Sequence, residues 1–311
     1  MITKLATDND GFSRKFFMYN RARDGFSSLL KSLDFNNQES VLLPAYIGWS
    51  SREGSGVFDP VLENKLQYTF YAMDESLNID LDSLKYAFDN NKIKLFVIIH
   101  YFGYVDPCYD QAISMAREYG VTILEDEAHS FFTNFIGGVS GRKGDASIFS
   151  LHKMFPISTG GMLTLNKAEK NVISSAVDII FPFNFDFYSM SRKRIDNSIL
   201  LAELLRPHSS KVTIMRPVLK SGEIPQTFPI LINTVSRNKL YESMNDSGFG
   251  VVSLYHTMIE NISNDLFPRS HFVASRILNL PVHQDIENSQ INKMVSELLL
   301  QIDILEKNVI S

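Results

Sequence analysis

The first half of the chain alternates short apolar runs with amphipathic stretches. Runs at 41–43, 68–71, 95–99, 121–124, 146–149 and 162–165 are rich in β-branched or aromatic residues and read as strands. Between several of them lie stretches of helical periodicity, notably 79–90 and 107–120. Strands that are apolar almost throughout, separated by helices, predict a sheet covered on both faces. Asp106-Pro107 opens the second helix with a carboxylate cap and a proline in the first turn, and Gly120 closes it. The pattern shifts after about Val177. An aromatic run with Phe181, Phe183, Phe185 and Phe187 suits either a subunit contact or a buried segment between domains. A helix over 191–205 follows, then loops bearing Pro207, Pro217 and Pro225. A second α+β unit begins near Phe228, with a strand at 229–232, a helix at 238–246, a strand at 250–254 and a last helix at 288–305. The expected fold class is α/β, with a large domain over residues 1–178 built on a mostly parallel sheet. A connecting helix and a small α+β domain over 179–311 complete it.

Composition narrows the classes of function. At roughly 150 residues per domain, 311 residues agree with two units. A hydrophobic content of 44% excludes a disordered chain, which could not offset its ordering entropy. The net charge of −5, from 30 basic and 35 acidic residues, offers no basic footprint for nucleic acid. A single cysteine, Cys108, excludes an intrachain disulfide and a cysteine-cluster metal site, so no metal is expected. No apolar run approaches the ~18 residues of a membrane span, and residues 1–15 lack the apolar stretch of a signal peptide. The expectation is a cytoplasmic protein with neither membrane nor nucleic-acid partners.

Three features fall at strand ends, where open α/β sheets form their ligand crevice. The run Val121-Thr122-Ile123-Leu124 leads into Glu125-Asp126-Glu127-Ala128-His129, placing Asp126 at the mouth of a strand. Gly144-Asp145-Ala146-Ser147-Ile148-Phe149-Ser150 leads into Leu151-His152-Lys153, with Gly160-Gly161 before the next strand. Arg21-Ala22-Arg23-Asp24-Gly25 opens an early helix, and helix N-termini bind phosphate through free N–H groups and the dipole. Alone, each has an ordinary explanation: a helix cap at Asp126, a satisfied buried histidine at His129, a solvated turn lysine, an amphipathic surface helix. Together they offer a lysine for an aldehyde, an aspartate for a pyridine nitrogen, and a hydroxyl and helix end for a phosphate. That is the requirement of pyridoxal phosphate.

The same residues resemble the DegT/DnrJ/StrS family of fold-type-I pyridoxal-phosphate enzymes, mostly sugar aminotransferases. Ser40-Val41-Leu42-Leu43-Pro44-Ala45-Tyr46 looks like the family's first strand and its exit, and His100-Tyr101-Phe102-Gly103 is similar to its His-x-x-Gly stretch. Glu125-Asp126-Glu127-Ala128-His129 resembles Glu-Asp-Ala-Ala-Gln, and Phe149-Ser150 with Lys153 and Gly160-Gly161 resembles the lysine loop. Near the end, Leu280-Pro281-Val282-His283 resembles the family's Leu-Pro-x-His turn. The resemblance implies Lys153 and Asp126 as catalytic residues, with Asp126 on the pyridine nitrogen and His129 on the side of the cofactor's hydroxyl. It implies Ser150 and the Ala22-Arg23 helix end at the phosphate, Arg23 supplying an ion pair. There are departures. Ser150 lies three residues before Lys153, closer than usual, and Ala22-Arg23 replaces Gly-Thr. Trp49 is offset by one from the aromatic that stacks on the ring. A Gly-x-Asn loop is deleted between Val177 and Arg192, with Asn184 as a replacement.

The expected activity is transfer of an amino group from glutamate or glutamine to a keto group on a nucleotide-linked sugar, in a homodimer. The alternatives are a sugar dehydratase, in which a histidine replaces the lysine, and a cofactor-binding regulator or degenerate subunit. A cysteine desulfurase would have to use Cys108, at a helix start, and a plain α/β binding module would hold no cofactor.

Overall fold

The computed structural model describes residues 14–166 and 184–310. The first strand, β1 (Lys15–Tyr19), leads into α1 (Ala22–Lys31) and β2 (Ser40–Pro44). Next come α2 (Asp59–Glu63), β3 (Gln67–Tyr71), α3 (Leu81–Asn90), β4 (Ile93–Ile99), α4 (Tyr109–Glu118), β5 (Thr122–Asp126), β6 (Ala146–Ser150) and β7 (Gly161–Leu165). These strands form one seven-stranded sheet in the order β1-β7-β6-β5-β4-β2-β3. From β6 to β3 every neighbouring pair is parallel, while β7 runs antiparallel to both β6 and β1. β6 and β7 are buried at every position, as expected for strands covered on both faces. The six strands read from the sequence are all present. β1 was not foreseen: it is an edge strand, with Lys15 and Phe16 exposed.

The remainder is α5 (Phe187–Leu205), β8 (Val212–Ile214), β9 (Thr227–Ile232), α6 (Arg237–Asp246), α7 (Pro268–Arg276), β10 (Ile277–Pro281) and α8 (Asn288–Ile310). β8, β9 and β10 form a separate antiparallel sheet in the order β10-β9-β8. Its apolar face packs with Leu201 and Leu205 of α5, Leu240 and Met244 of α6, and Ile291, Leu298 and Ile302 of α8. The expected strand at 250–254 is not one. Only Val252 pairs, through a single bridge to Asn279, and the Asn279 side chain accepts the Leu254 N–H, after which the chain turns away from the sheet edge. α5 starts earlier than expected because Asp186 accepts the Ser189 N–H at 3.0 Å and caps it. The boundary at residue 178 lies outside the described residues, as do Val177, Phe181 and Phe183. Phe185 and Phe187 pack within the chain, 5.3 Å from Phe155 and 5.5 Å from Phe131 between ring centroids.

Candidate active site

The site lies where β5 and β6 end. Asp126 closes β5, paired with Ile99 of β4 and Ile148 of β6. Its carboxylate is buried and accepts the Ala128 N–H at 2.8 Å. Burial pushes its pKa up, opposed by that N–H and by the positive charges of Lys153 and His100. An enclosed carboxylate with so few donors is suited to a cationic ring nitrogen.

His129 follows on the turn after β5. Its ring lies nearly parallel to Phe102, with centroids 5.8 Å apart and planes at 15°. Phe102 sits at φ +59, which few bulky residues adopt. That conformation directs its N–H towards His129 Nδ1 at 3.4 Å and its carbonyl towards the Gln226 N–H. Burial, reinforced by Lys153, holds the imidazole well below its usual pKa, so it is neutral near pH 7. With Nδ1 accepting, the proton is assigned to Nε2. Nε2 lies 3.1 Å from Lys153 Nζ. A donor Nε2–H needs a lone pair on that nitrogen, which is the neutral amine. The same direction follows from Lys153 itself: burial and the Arg23 charge lower its pKa, partly opposed by Asp126 and Glu53. Although surrounded by protein, Lys153 remains accessible to solvent, as a side chain lining a crevice must be.

The lysine turn is anchored from below. It is a single 3₁₀ turn, Leu151–Lys153, continuing β6. Leu151, Met154 and Phe155 are buried in an apolar cluster with Phe131, Phe132 and Phe149. Aromatic packing holds the backbone on both sides of the Lys153 side chain.

Behind Asp126 lies a buried polar group that the sequence did not disclose. Glu125 accepts from His100 Nε2 at 2.8 Å, Tyr109 OH at 2.6 Å and the N–H groups of Gly141, Lys143 and Gly144. Burial alone would raise Glu125, but these donors and the His100 charge hold it below the usual range. Glu127 lacks such donors apart from Ser140, and burial pushes it up to about 8. For His100 burial acts downward, yet Glu127, Glu125 and Asp106 outweigh it and raise the imidazole to about 9. His100, Glu125 and Glu127 could in principle hold a metal ion, but Glu125 is already saturated with donors.

At the other end of the crevice, Gly161 faces Ser150 across β6 and β7. A Cβ on Gly161 would lie 2.1 Å from the Arg21 carbonyl carbon and 2.4 Å from the Ala22 nitrogen. The start of α1 therefore rests directly on β7, beside the end of β6. Ala22 and Arg23 open α1, where amide N–H groups have no helical acceptor. The Arg23 guanidinium is engaged by Asp59 at 3.4 Å and the Glu53 carbonyl at 2.7 Å. The expected ion pair with phosphate would have to compete with those contacts. Ser150 is buried, its hydroxyl 3.4 Å from His152 Nδ1. Trp49 is 47% exposed and, among the described residues, its ring touches no other aromatic. Tyr255, which sequence reasoning missed, is half-buried with its centroid 6.5 Å from that of His129. A cleft of about 840 Å³ between β9, α6, α7 and residues 256–263 contains none of Asp126, His129, Ser150 or Lys153.

A mostly parallel sheet whose strand ends carry a buried aspartate, a neutral histidine and a lowered lysine beside a helix N-terminus defines a fold-type-I pyridoxal-phosphate-dependent transferase. The chain belongs to the DegT/DnrJ/EryC1/StrS aminotransferase family, whose sequence profile matches residues 20–176. It is 24% identical over 269 residues to the dTDP-4-amino-4,6-dideoxy-D-glucose transaminase of Escherichia coli, covering 71% of this chain and 72% of that one. A shorter match, 35% over 104 residues, is to the spore coat polysaccharide biosynthesis protein SpsC of Bacillus subtilis, covering 32% of this chain and 26% of that one. The chain spans between 26% and 72% of the length of the curated relatives it matches. Among solved structures, the apo form of the putative sugar aminotransferase Spr1654 from Streptococcus pneumoniae superposes with a TM-score of 0.78 at 14% identity, over 96% of this chain and 88% of that one.

Proposed function

We propose that this protein is a pyridoxal-phosphate-dependent aminotransferase that moves an amino group from glutamate or glutamine to a keto group on a nucleotide-linked sugar. The observation that carries this is the Lys153 amine 3.1 Å from a neutral His129, beside the buried Asp126 at the mouth of β5. Bound pyridoxal phosphate supplies an electron sink that acidifies the substrate carbon next to nitrogen. Asp126 would keep the pyridine nitrogen protonated, and His129 would lie on the side of the ring hydroxyl. Lys153 would hold the cofactor through its aldehyde, and its free amine is the base and acid that would carry a proton to and from the substrate carbon next to nitrogen. The Ala22 and Arg23 N–H groups and the Ser150 hydroxyl would hold the phosphate. The presence of a lysine at 153 weighs against the dehydratase chemistry in which a histidine takes its place.

The sugar is supported by the Escherichia coli relative, whose name gives a dTDP-linked amino sugar, and a role in surface polysaccharide by the Bacillus subtilis relative. We read the active form as a cytoplasmic homodimer, with a large domain over 1–178 and a small one over 179–311; no helix among the described residues is long and apolar enough to cross a membrane. The test is the visible absorbance of the purified protein before and after glutamate, with borohydride fixation. A yellow protein that is bleached by glutamate and fixed through Lys153 supports the reading. A yellow protein indifferent to every amino donor would indicate a regulator, and a colourless one would sink the cofactor assignment.

A further inference from the structure

The loop leaving β2 passes the crevice at Gly48, and the reason for a glycine there lies far away in the chain. Gly48 does not adopt a left-handed conformation, so its backbone does not call for glycine. What excludes a side chain is the ring of Tyr255. A Cβ on Gly48 would lie 1.9 Å from Tyr255 Cδ1, 2.3 Å from Cγ and 2.5 Å from Cε1. This approach is built into the fold. Gly48 pairs with Met258, the Trp49 N–H donates to the Thr257 carbonyl at 3.0 Å, and the Ile259 N–H donates to Ile47 at 3.0 Å. The Tyr46 hydroxyl accepts the Tyr255 N–H at 2.8 Å and donates to the Leu254 carbonyl at 2.9 Å.

Tyr255 also faces the chemistry. Its ring centroid lies 5.5 Å from Tyr46 and 6.5 Å from His129, and the Asp126 charge acts on its phenol. The other aromatic rings around His129 are sealed in the core: Tyr46, Tyr101 and Phe102 are 0%, 5% and 2% exposed. Tyr255, by contrast, is only partly buried. We propose that Tyr255 is the aromatic side chain that packs against the cofactor's pyridine ring, and that Gly48 is the glycine that admits it. The ring contact would then come from the C-terminal part of the chain rather than from Trp49 of the β2 loop, which is 47% exposed. The proposal rests on the cofactor reading above.

The test measures cofactor binding rather than turnover: titration of apoprotein with pyridoxal phosphate, and the visible circular dichroism of the bound cofactor. Losing one aromatic face should raise Kd about three- to tenfold in Tyr255→Ala and weaken the dichroism. Tyr255→Phe should retain both. Gly48→Phe alone should bind poorly, because its ring collides with Tyr255, whereas Gly48→Phe combined with Tyr255→Ala should recover affinity. That recovery separates stacking from a general loss of fold, which the apoprotein melting temperature reports independently. The proposal is overturned if Tyr255→Ala binds like wild type, if Tyr255→Phe loses as much as Tyr255→Ala, or if Trp49→Ala carries the loss instead. A wild-type protein that fails to bind pyridoxal phosphate would sink the functional reading itself, an outcome distinct from any of these.

Discussion

The two ends of the proposed cofactor crevice, the ring end and the phosphate end, are made of different material. The ring end is built from side chains: Asp126, His129 and Lys153, each buried or anchored, with its protonation set by its neighbours. The phosphate end is built largely from backbone: Gly161 beneath Arg21 and Ala22, the open N–H groups of α1, and the Ser150 hydroxyl. Residue identity matters at the first end, because charge and basicity are properties of side chains. At the second it matters chiefly that nothing intrudes, because helix N–H groups point at an anion whatever side chains they carry. This explains how Ala22-Arg23 can stand where the resemblance leads one to expect Gly-Thr without dismantling the site.

The sharpest break in this comparison is at the ring end. Lys153→Ala should lower transaminase turnover by roughly 10³-fold or more, through loss of the proton carrier, with the melting temperature nearly unchanged. Asp126→Asn preserves an oxygen for the Ala128 N–H but not the charge, and should cost roughly 10²-fold in turnover while cofactor remains bound. Steady-state kinetics beside cofactor absorbance separates these cases; loss of cofactor from Asp126→Asn would show that the carboxylate holds the ring rather than tuning it.

The phosphate end should respond to intrusion instead. In Gly161→Ala the new methyl meets backbone, which cannot rotate away. An overpacked contact of this kind costs about 1–3 kcal/mol; we expect weaker cofactor binding with little change in the pH dependence of any turnover that remains. Arg23→Ala should do much less, because the side chain is already held by Asp59 and Glu53, and partly exposed ion pairs contribute only about 0.2–1 kcal/mol. A large rise in cofactor Kd for Arg23→Ala would mean that the guanidinium leaves Asp59 for the phosphate. The phosphate end would then depend on side chains too.

The same contrast explains what could be read from the chain. Apolar strands ending in Asp126 and Ser150 marked where the candidate crevice lies, since both residues close their strands. Pairings set by distant segments left weaker traces. β1 is half-exposed and finds its partner β7 more than a hundred residues later. β10 carries Asn279 and Pro281 and read as a turn, yet Asn279 is buried with its amide bonded to Thr227 Oγ1 and its side-chain oxygen to the Leu254 N–H. The stretch 250–254 had the composition of a strand, but its place in the structure is to carry the chain to Tyr255. Glu127, to which the sequence assigned no role, is fully buried.

Glu127 supplies the smallest expected effect and a further way to separate the two ends, since the charged cluster lies behind only one of them. His100 holds its proton more tightly in the folded protein, at about 9 against the usual 6.5. Its contribution to stability is therefore fully present below pH 6.5 and is lost as the pH climbs through 9. Glu127 acts in the same sense, its carboxyl raised to about 8 from 4.5. Glu125 acts in the opposite sense: held below its usual value, it contributes above that value and loses its contribution in acid. Between pH 6.5 and 9 the first two dominate, and the melting temperature should fall by roughly a few degrees. Glu127→Gln keeps the shape and the Ser140 contact without a titratable proton, and it removes the carboxylate that raises His100 most. The variant should show a flatter fall over the same range. A Glu127→Gln protein whose melting temperature follows the wild-type pH profile would place the titration elsewhere, and the ring end would lose its claim to be the pH-sensitive half of the site.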